Sequence, residues 1–297
     1  MSLAKQSIPG RPGRGRGLLA GGLAIAFLVS ICTAAEPKIQ TPAYNQFTPE
    51  DEVKIGAALT RDFESGKEII ANPLLDRYLD DVIKRVGKAS RRPELTYTCR
   101  VINSNEINAF SFPGGAVYIT TGMLGFVQDE SELASVLAHE AGHIAGKHLL
   151  NRISLEMRSK ALLDQVRRML PLVDDKQVQD GFAKIGIPIA TLAAQQFDRA
   201  NENEADLLAA YNLTRAGWSP LGEVRALDRL QTLNTGQSKG LVADLLSVHP
   251  NPVDRSRAVS AEIKTMALSG SLDDNSLSFR AMKAGLGILP KPGQGGR

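Results

Sequence analysis

The chain has 297 residues, of which 43% are hydrophobic and 23% charged, so it can bury a folded core and does not have the composition of a disordered chain. Its 35 basic and 32 acidic residues nearly balance, which gives no reason to expect a nucleic-acid-binding protein. The 2 cysteines exclude a disulfide scaffold and a four-cysteine zinc site, whereas 3 of the 4 histidines fall within ten residues.

The first 35 residues have the layout of a secretory signal peptide. A basic segment without acidic residues precedes an apolar run over residues 18–31, and Thr33-Ala34-Ala35 offers small residues for cleavage. The run is shorter than the roughly 20 residues that span a bilayer, so retention as an N-terminal anchor is the second alternative after cleavage. Lipidation of Cys32 is the third. We therefore expect export to the periplasm, with peripheral membrane association if the segment is retained.

An α+β domain is expected over residues 49–268, after an N-terminal arm at 36–48. Apolar residues at helical spacing predict helices at 51–63 and 73–86. Two strands are predicted, at 95–103, with a buried Cys99, and at 117–121. Further helices are predicted, each with a start or stop signal, at 129–151, 152–170, 188–215, 220–233 and 252–268. The Gly-, Ser- and Pro-rich residues 269–297 are expected to be a disordered tail.

The predicted helix at 129–151 carries the pattern His139-Glu140-Ala141-Gly142-His143. Residues four apart lie on one helix face, so the two imidazoles can bind one Zn²⁺ per chain. Glu140, next to the first ligand, can act as the general base for the attacking water and then pass the proton to the leaving amine. The pattern therefore predicts a zinc peptidase.

Two residues compete for the role of third ligand. His148 fits the metzincin pattern only loosely, because position 149, where that pattern requires histidine, is Leu149. On a continuous helix His148 would also lie about 140° from His143, which favours a structural role. The alternative is Glu202, with Asp206 on the same face to accept a hydrogen bond from the free nitrogen of His139. Glu204, about 200° from Glu202, is expected to be solvated.

Four separated motifs between residues 44 and 265 resemble the M48 family of zinc metallopeptidases. They are Asn108-Ala109-Phe110 with Pro113-Gly114-Gly115, the HExxH segment, the residues from Arg199 to Asp206 in the pattern R-x-x-E-x-x-A-D, and His249-Pro250 with Arg255. These gluzincins include the CAAX prenyl-protein protease and bacterial periplasmic quality-control proteases. The chain departs from many members at Asp198, where serine is frequent, and lacks the multiple membrane spans of the CAAX protease.

The resemblance implies a mostly helical gluzincin fold with a small β-sheet beside the HExxH helix. It implies zinc ligation by His139, His143 and Glu202, with Glu140 catalytic. It also implies a zinc metalloendopeptidase that acts on protein or peptide substrates, in particular misfolded envelope proteins.

Substrate and oxyanion groups are less constrained by the sequence. The strand at 116–120 is a candidate for pairing with an extended substrate. Tyr211, His249 and Arg255 are candidate donors to the oxyanion. His249 can instead cap the open zinc position or be a structural residue beside Pro250, and Arg255 can be a salt-bridge anchor.

Two alternative functions remain open at this point. One is a zinc-binding chaperone or assembly factor with little proteolysis, although a purely structural zinc would not need Glu140. The other is a metzincin-like secreted protease, which Leu149 disfavours.

Overall fold

The computed structural model describes residues 45–156, 197–236, 239–266, 268 and 275–292. The expected signal peptide at 1–35, residues 36–44 of the arm and the predicted helical residues 157–170 and 188–196 lie outside the described residues. The described helices are, in chain order, α1 (Pro49–Glu64), α2 (Pro73–Ala89), α3 (Thr121–Phe126), α4 (Glu130–Ala145), α5 (His148–Glu156), α6 (Arg199–Ala216), α7 (Leu221–Thr235), α8 (Lys239–Val248), α9 (Pro252–Ile263) and α10 (Leu277–Gly285), followed by a 3₁₀ turn (Leu286–Ile288).

A four-stranded sheet accompanies these helices, which confirms the predicted α+β class. Its strands are β1 (Ile69–Ile70), β2 (Thr98–Ile102), β3 (Ala109–Phe112) and β4 (Ala116–Thr120), in the order β1-β2-β4-β3. β2 and β4 run parallel, and the two outer strands pair antiparallel with them. β2 and β4 match the predicted strands, whereas the short β1 and β3 were not predicted.

Residues alternate between two cores along the inner strands. Tyr97, Cys99 and Val101 face the larger core, as predicted, together with apolar residues of α2, α4 and α6. Tyr118 faces the smaller core, formed with α1, α5 and Phe112. Burial raises the pKa of the Cys99 thiol, which keeps it protonated and unreactive.

The prediction of one helix at 129–151 is wrong, because two helices, α4 and α5, lie there. α4 begins as expected, with the Asp129 carboxylate accepting a hydrogen bond from the Glu132 amide at 2.8 Å. It ends at Gly146, because Lys147 adopts a left-handed conformation with φ of 53°. His148 then starts α5 in a new direction.

The helix predicted at 188–215 also differs from the structure. Asp198 caps a helix that starts at Arg199, so α6 is shorter than expected, and it ends at the left-handed Gly217 as predicted. α9 likewise ends at Ile263, five residues before the predicted end.

The expectation of a disordered tail is wrong for residues 277–288. α10 lies there, and its Phe279 and Met282 are buried in the larger core. Ser276 caps α10 and donates a hydrogen bond from its hydroxyl to Glu130, the first residue of α4, at 2.8 Å. The burial of these two apolar side chains stabilises the helix, although the Gly- and Pro-rich composition of the segment suggested disorder.

Among the residues that the structure describes, none of the helices combines the length and hydropathy needed to cross a bilayer.

Candidate metal centre

Four buried side chains converge where α4, α6 and the turn after α8 meet. They are His139, His143, Glu202 and His249, and one donor atom of each lies within 4.8 Å of the others. The Nε2 atoms of His139 and His143 are 3.0 Å apart, and Glu202 Oε1 is 3.3 Å from His143 Nε2. His249 Nδ1 lies 2.9 Å from Glu202 Oε1 and 3.2 Å from His139 Nε2. Imidazole nitrogens and one carboxylate at this spacing are a donor set that suits Zn²⁺, so a metal fits the residues present.

Helix geometry explains why the first three donors meet. His139 and His143 share one face of α4, and α6 crosses α4 so closely that a Cβ on Gly142 would lie 2.7 Å from the Ala205 carbonyl oxygen. A glycine at position 142 therefore allows Glu202, one turn before Ala205, to reach the two imidazoles.

Arg255 and Asp206 form a buried ionic layer behind the donors. Asp206 Oδ1 lies 2.8 Å from His139 Nδ1, the contact expected from the sequence. The Arg255 guanidinium donates two hydrogen bonds to Asp206, at 2.6 and 2.8 Å, and approaches Glu202 Oε2 at 2.8 Å. Arg255 is therefore a salt-bridge anchor for two carboxylates, which was one of its two predicted roles.

Opposing effects set the charge of this layer. Burial would raise the pKa values of Glu202 and Asp206. The charges of His249 and Arg255 nevertheless hold the pKa of Glu202 well below its usual range, and the charge and hydrogen bonds of Arg255 do the same for Asp206. Burial lowers the pKa of His143, so its imidazole is neutral, as metal binding requires. For His249 burial would lower the pKa, but the charge and hydrogen bond of Glu202, together with the charge of Glu140, raise it.

His148, for which the sequence favours a structural role, lies on the far side of His143. His148 Nδ1 is 2.8 Å from His143 Nδ1, because the turn at Lys147 brings its ring back toward the centre. Phe197 stacks on the His143 ring, with 4.1 Å between centroids. The side chain of Glu204 is only 10% exposed and faces His148, so the expectation that it is solvated is wrong.

Glu140 and Glu223 line a small pocket next to His139. Its other walls are mostly apolar and include Met123, Val136 and Leu227. Glu140 is buried, and its Oε1 lies 3.8 Å from His249 Nε2. Glu223, also missed, is fully buried, and burial together with the charge of Asp206 raises its pKa well above the usual value.

Two of the other sequence expectations are not supported. Tyr211 donates a hydrogen bond to Glu262 at 2.7 Å and packs in a separate apolar cluster, so it is not available to an oxyanion at this centre. The strand at 116–120 has neighbours on both sides, so it cannot accept a further strand, whereas its neighbour β3 is one of the two outer strands of the described sheet.

The fold and this centre are those of a metal-dependent peptidase. The family model for peptidase family M48 matches residues 73–263, so the chain belongs to peptidase family M48, whose members are metallopeptidases.

Individual relatives agree with this family. The beta-barrel assembly-enhancing protease of Escherichia coli K12 is 28% identical over 261 residues, which is 85% of this chain and 52% of the relative. The protein of that name from Yersinia pestis is 29% identical over 74% of this chain and 45% of its own length. The mitochondrial metalloendopeptidase OMA1 of Arabidopsis thaliana is 26% identical over 71% of this chain and 40% of its own length. The chain spans about half the length of the assembly-enhancing proteases that it matches.

Proposed function

We propose that this chain is an exported endopeptidase that holds one Zn²⁺ with His139, His143 and Glu202 and uses Glu140 as its general base. The convergence of those three donors, buried beside Glu140 at the end of an apolar pocket, is the observation that carries the proposal. Export is inferred from the signal-like residues 1–35.

Zn²⁺ bound at this centre would polarise the scissile carbonyl and lower the pKa of the attacking water. Glu140 accepts the proton of that water at its carboxylate and passes it to the leaving amine. Asp206 accepts the Nδ1 proton of His139 and so fixes the tautomer that leaves Nε2 free to bind. Arg255 keeps both Asp206 and Glu202 ionised.

His249 is a fourth donor at the centre in this conformation. Its Nδ1 lies among the donor atoms, which favours a cap on the open metal position over a hydrogen bond to the oxyanion. The two roles predict opposite effects of removing the ring. Loss of a cap raises turnover, and loss of an oxyanion donor lowers it.

An extended peptide would pair with β3, one of the two outer strands of the described sheet. Ala109 of this strand lines the pocket that contains Glu140, so a substrate strand at this edge would run past the centre. Two relatives are named for enhancing beta-barrel assembly, and this supports misfolded or unassembled envelope proteins as substrates. A zinc-binding assembly factor with little proteolysis is the second candidate.

The test is cleavage of casein by the purified full chain, with bound metal measured in each variant. Wild type should contain one zinc and cleave. Glu140→Gln should keep zinc and lose at least about 100-fold in activity, because a general base contributes that much. Glu202→Ala should lose zinc, whereas Asn203→Ala, one residue away, should keep both properties.

Each arm has an outcome that contradicts a part of the proposal. Zinc in both wild type and Glu140→Gln without any Glu140-dependent cleavage would favour the assembly factor. Normal zinc content in Glu202→Ala would exclude Glu202 as a ligand. Unchanged zinc and turnover in His249→Ala would exclude both active roles of that histidine.

A further inference from the structure

Each of the two histidines on α4 turns one ring nitrogen toward the donor cluster and the other toward a partner. For His139 the rear partner is a carboxylate, Asp206, at 2.8 Å from Nδ1. For His143 the rear partner is a second imidazole, because His148 Nδ1 lies 2.8 Å from His143 Nδ1. A neutral imidazole has one donor and one acceptor nitrogen, so the order of protons along this pair can be deduced.

His143 can offer Nε2 to a metal only if its proton is on Nδ1. Nδ1 then donates to His148 Nδ1, which must be the acceptor. The proton of His148 is therefore on its Nε2, at the far end of the ring. Metal binding by His143 thus requires one particular tautomer of His148.

The far end of the His148 ring faces Glu204. His148 Nε2 lies 3.9 Å from Glu204 Oε2, and the Glu204 side chain is 10% exposed. Neither His148 Nε2 nor Glu204 Oε1 has a hydrogen-bond partner within the described part of the chain, although both are buried. A buried N–H and a buried carboxylate oxygen without partners are costly, and a side-chain rotation that closes the 3.9 Å gap would satisfy the donor.

We propose that His148 and Glu204 are positioning residues for the metal ligand His143. Glu204 accepts the Nε2 proton of His148, and His148 in turn accepts the Nδ1 proton of His143. The Glu204–His148 pair thereby does for His143 what Asp206 does for His139. The proposal rests on the proposed zinc-dependent function.

The backbone between the two helices is built for this contact. Lys147 holds a left-handed φ of 53°, unusual for a residue with a side chain, and turns the chain back. Gly146 leaves room for the ring, since a Cβ there would lie 2.3 Å from His148 Nε2. On an uninterrupted helix His148 would point away from His143.

Zinc affinity, measured by chelator competition on the full chain, tests the proposal. His148→Asn and Glu204→Ala should each weaken zinc binding about 10- to 100-fold, as the loss of such partners does elsewhere. Glu204→Gln, which keeps the shape and one acceptor oxygen, should fall between wild type and Glu204→Ala. The double variant His148→Asn/Glu204→Ala should be no weaker than His148→Asn, because Glu204 acts through His148. Asn203→Ala, half-buried on the same turn of α6, should bind zinc as wild type does.

A second readout does not depend on stability. Nitrogen NMR of the zinc-loaded wild type should show His148 protonated at Nε2 and unprotonated at Nδ1. A proton on Nδ1, or unchanged zinc affinity in folded Glu204→Ala and Glu204→Gln, would overturn the proposal. If wild type binds zinc and Glu140→Gln abolishes cleavage in the same preparations, this failure leaves the proposed function intact.

Discussion

Individual residues divide into those whose role follows from spacing and those whose role follows from packing. His139, Glu140 and His143 could be identified from the sequence because four-residue spacing on a helix is a local property. Glu204 and Glu223 could not, because their partners lie on other helices. The sequence places Glu204 opposite Glu202 on α6, but only the tertiary structure shows that His148 covers that side.

Glu223 has a consequence for stability that can be measured. Its pKa is raised by burial and by Asp206, so the folded protein keeps a proton that the unfolded chain loses above about pH 4.3. The unfolded state then binds fewer protons, and the free energy of unfolding falls as pH rises, by at most about 1.4 kcal/mol per pH unit. Glu223→Gln should remove this loss, so its stability relative to wild type should increase from pH 5 to pH 8.

Urea unfolding of the metal-free protein at several pH values would measure this effect. The matched control is Glu106→Gln, an exposed carboxylate, which should follow wild type at every pH. Parallel curves for Glu223→Gln and wild type would show that Glu223 is ionised in the folded protein.

At the scale of elements, the break between α4 and α5 is the feature that sequence reasoning missed. The apolar pattern continues from α4 into α5, because both helices pack on the same domain, so periodicity alone predicts one helix. In the structure Gly146 is the residue at which α4 ends. The bounds of α1, α2 and α4 at their first turns were predictable, since Thr48, Asn72 and Asp129 are capping residues.

Gly146→Ala tests this break. Its φ of −73° permits alanine, so the expected effect is steric and comes from the 2.3 Å approach to His148 Nε2. The His148 ring should be displaced from His143. Zinc affinity should then fall about 10-fold or more, as it does when a metal-binding histidine loses its hydrogen-bond partner. Gly240→Ala, where a Cβ meets nothing within 4 Å, is the control and should bind zinc normally. Equal zinc affinity for both variants would show that His148 adapts.

At the scale of the whole molecule, α10 adds residues that lie far along the chain to the larger core. Phe279 and Met282 enter the larger core, and Lys283 donates to three carbonyl oxygens at the end of α3, at 2.7 to 3.0 Å. Composition gave no indication of this role, because the surrounding residues are rich in Gly, Ser and Pro. The burial of two side chains from a short helix depends on a groove that only the folded domain provides.

Phe279→Ala should lower the free energy of unfolding by about 3–5 kcal/mol, as for other buried phenylalanines. Leu277→Ala, on the same helix but 77% exposed, should change it by less than about 0.5 kcal/mol. Denaturant unfolding followed by circular dichroism would measure both. A small effect of Phe279→Ala would mean that the helix is dispensable for the core.

The hydrogen bond between Ser276 and Glu130 joins two segments that are synthesised at different times. The two residues are 146 positions apart, and synthesis proceeds from the N-terminus, so the histidine-bearing helix α4 is synthesised long before Ser276. Before residues 276–282 leave the ribosome, the larger core lacks Phe279 and Met282. The first turn of α4 likewise lacks the hydroxyl of Ser276. The first turn of α4 therefore gains this hydrogen bond only after a further 146 residues have been synthesised.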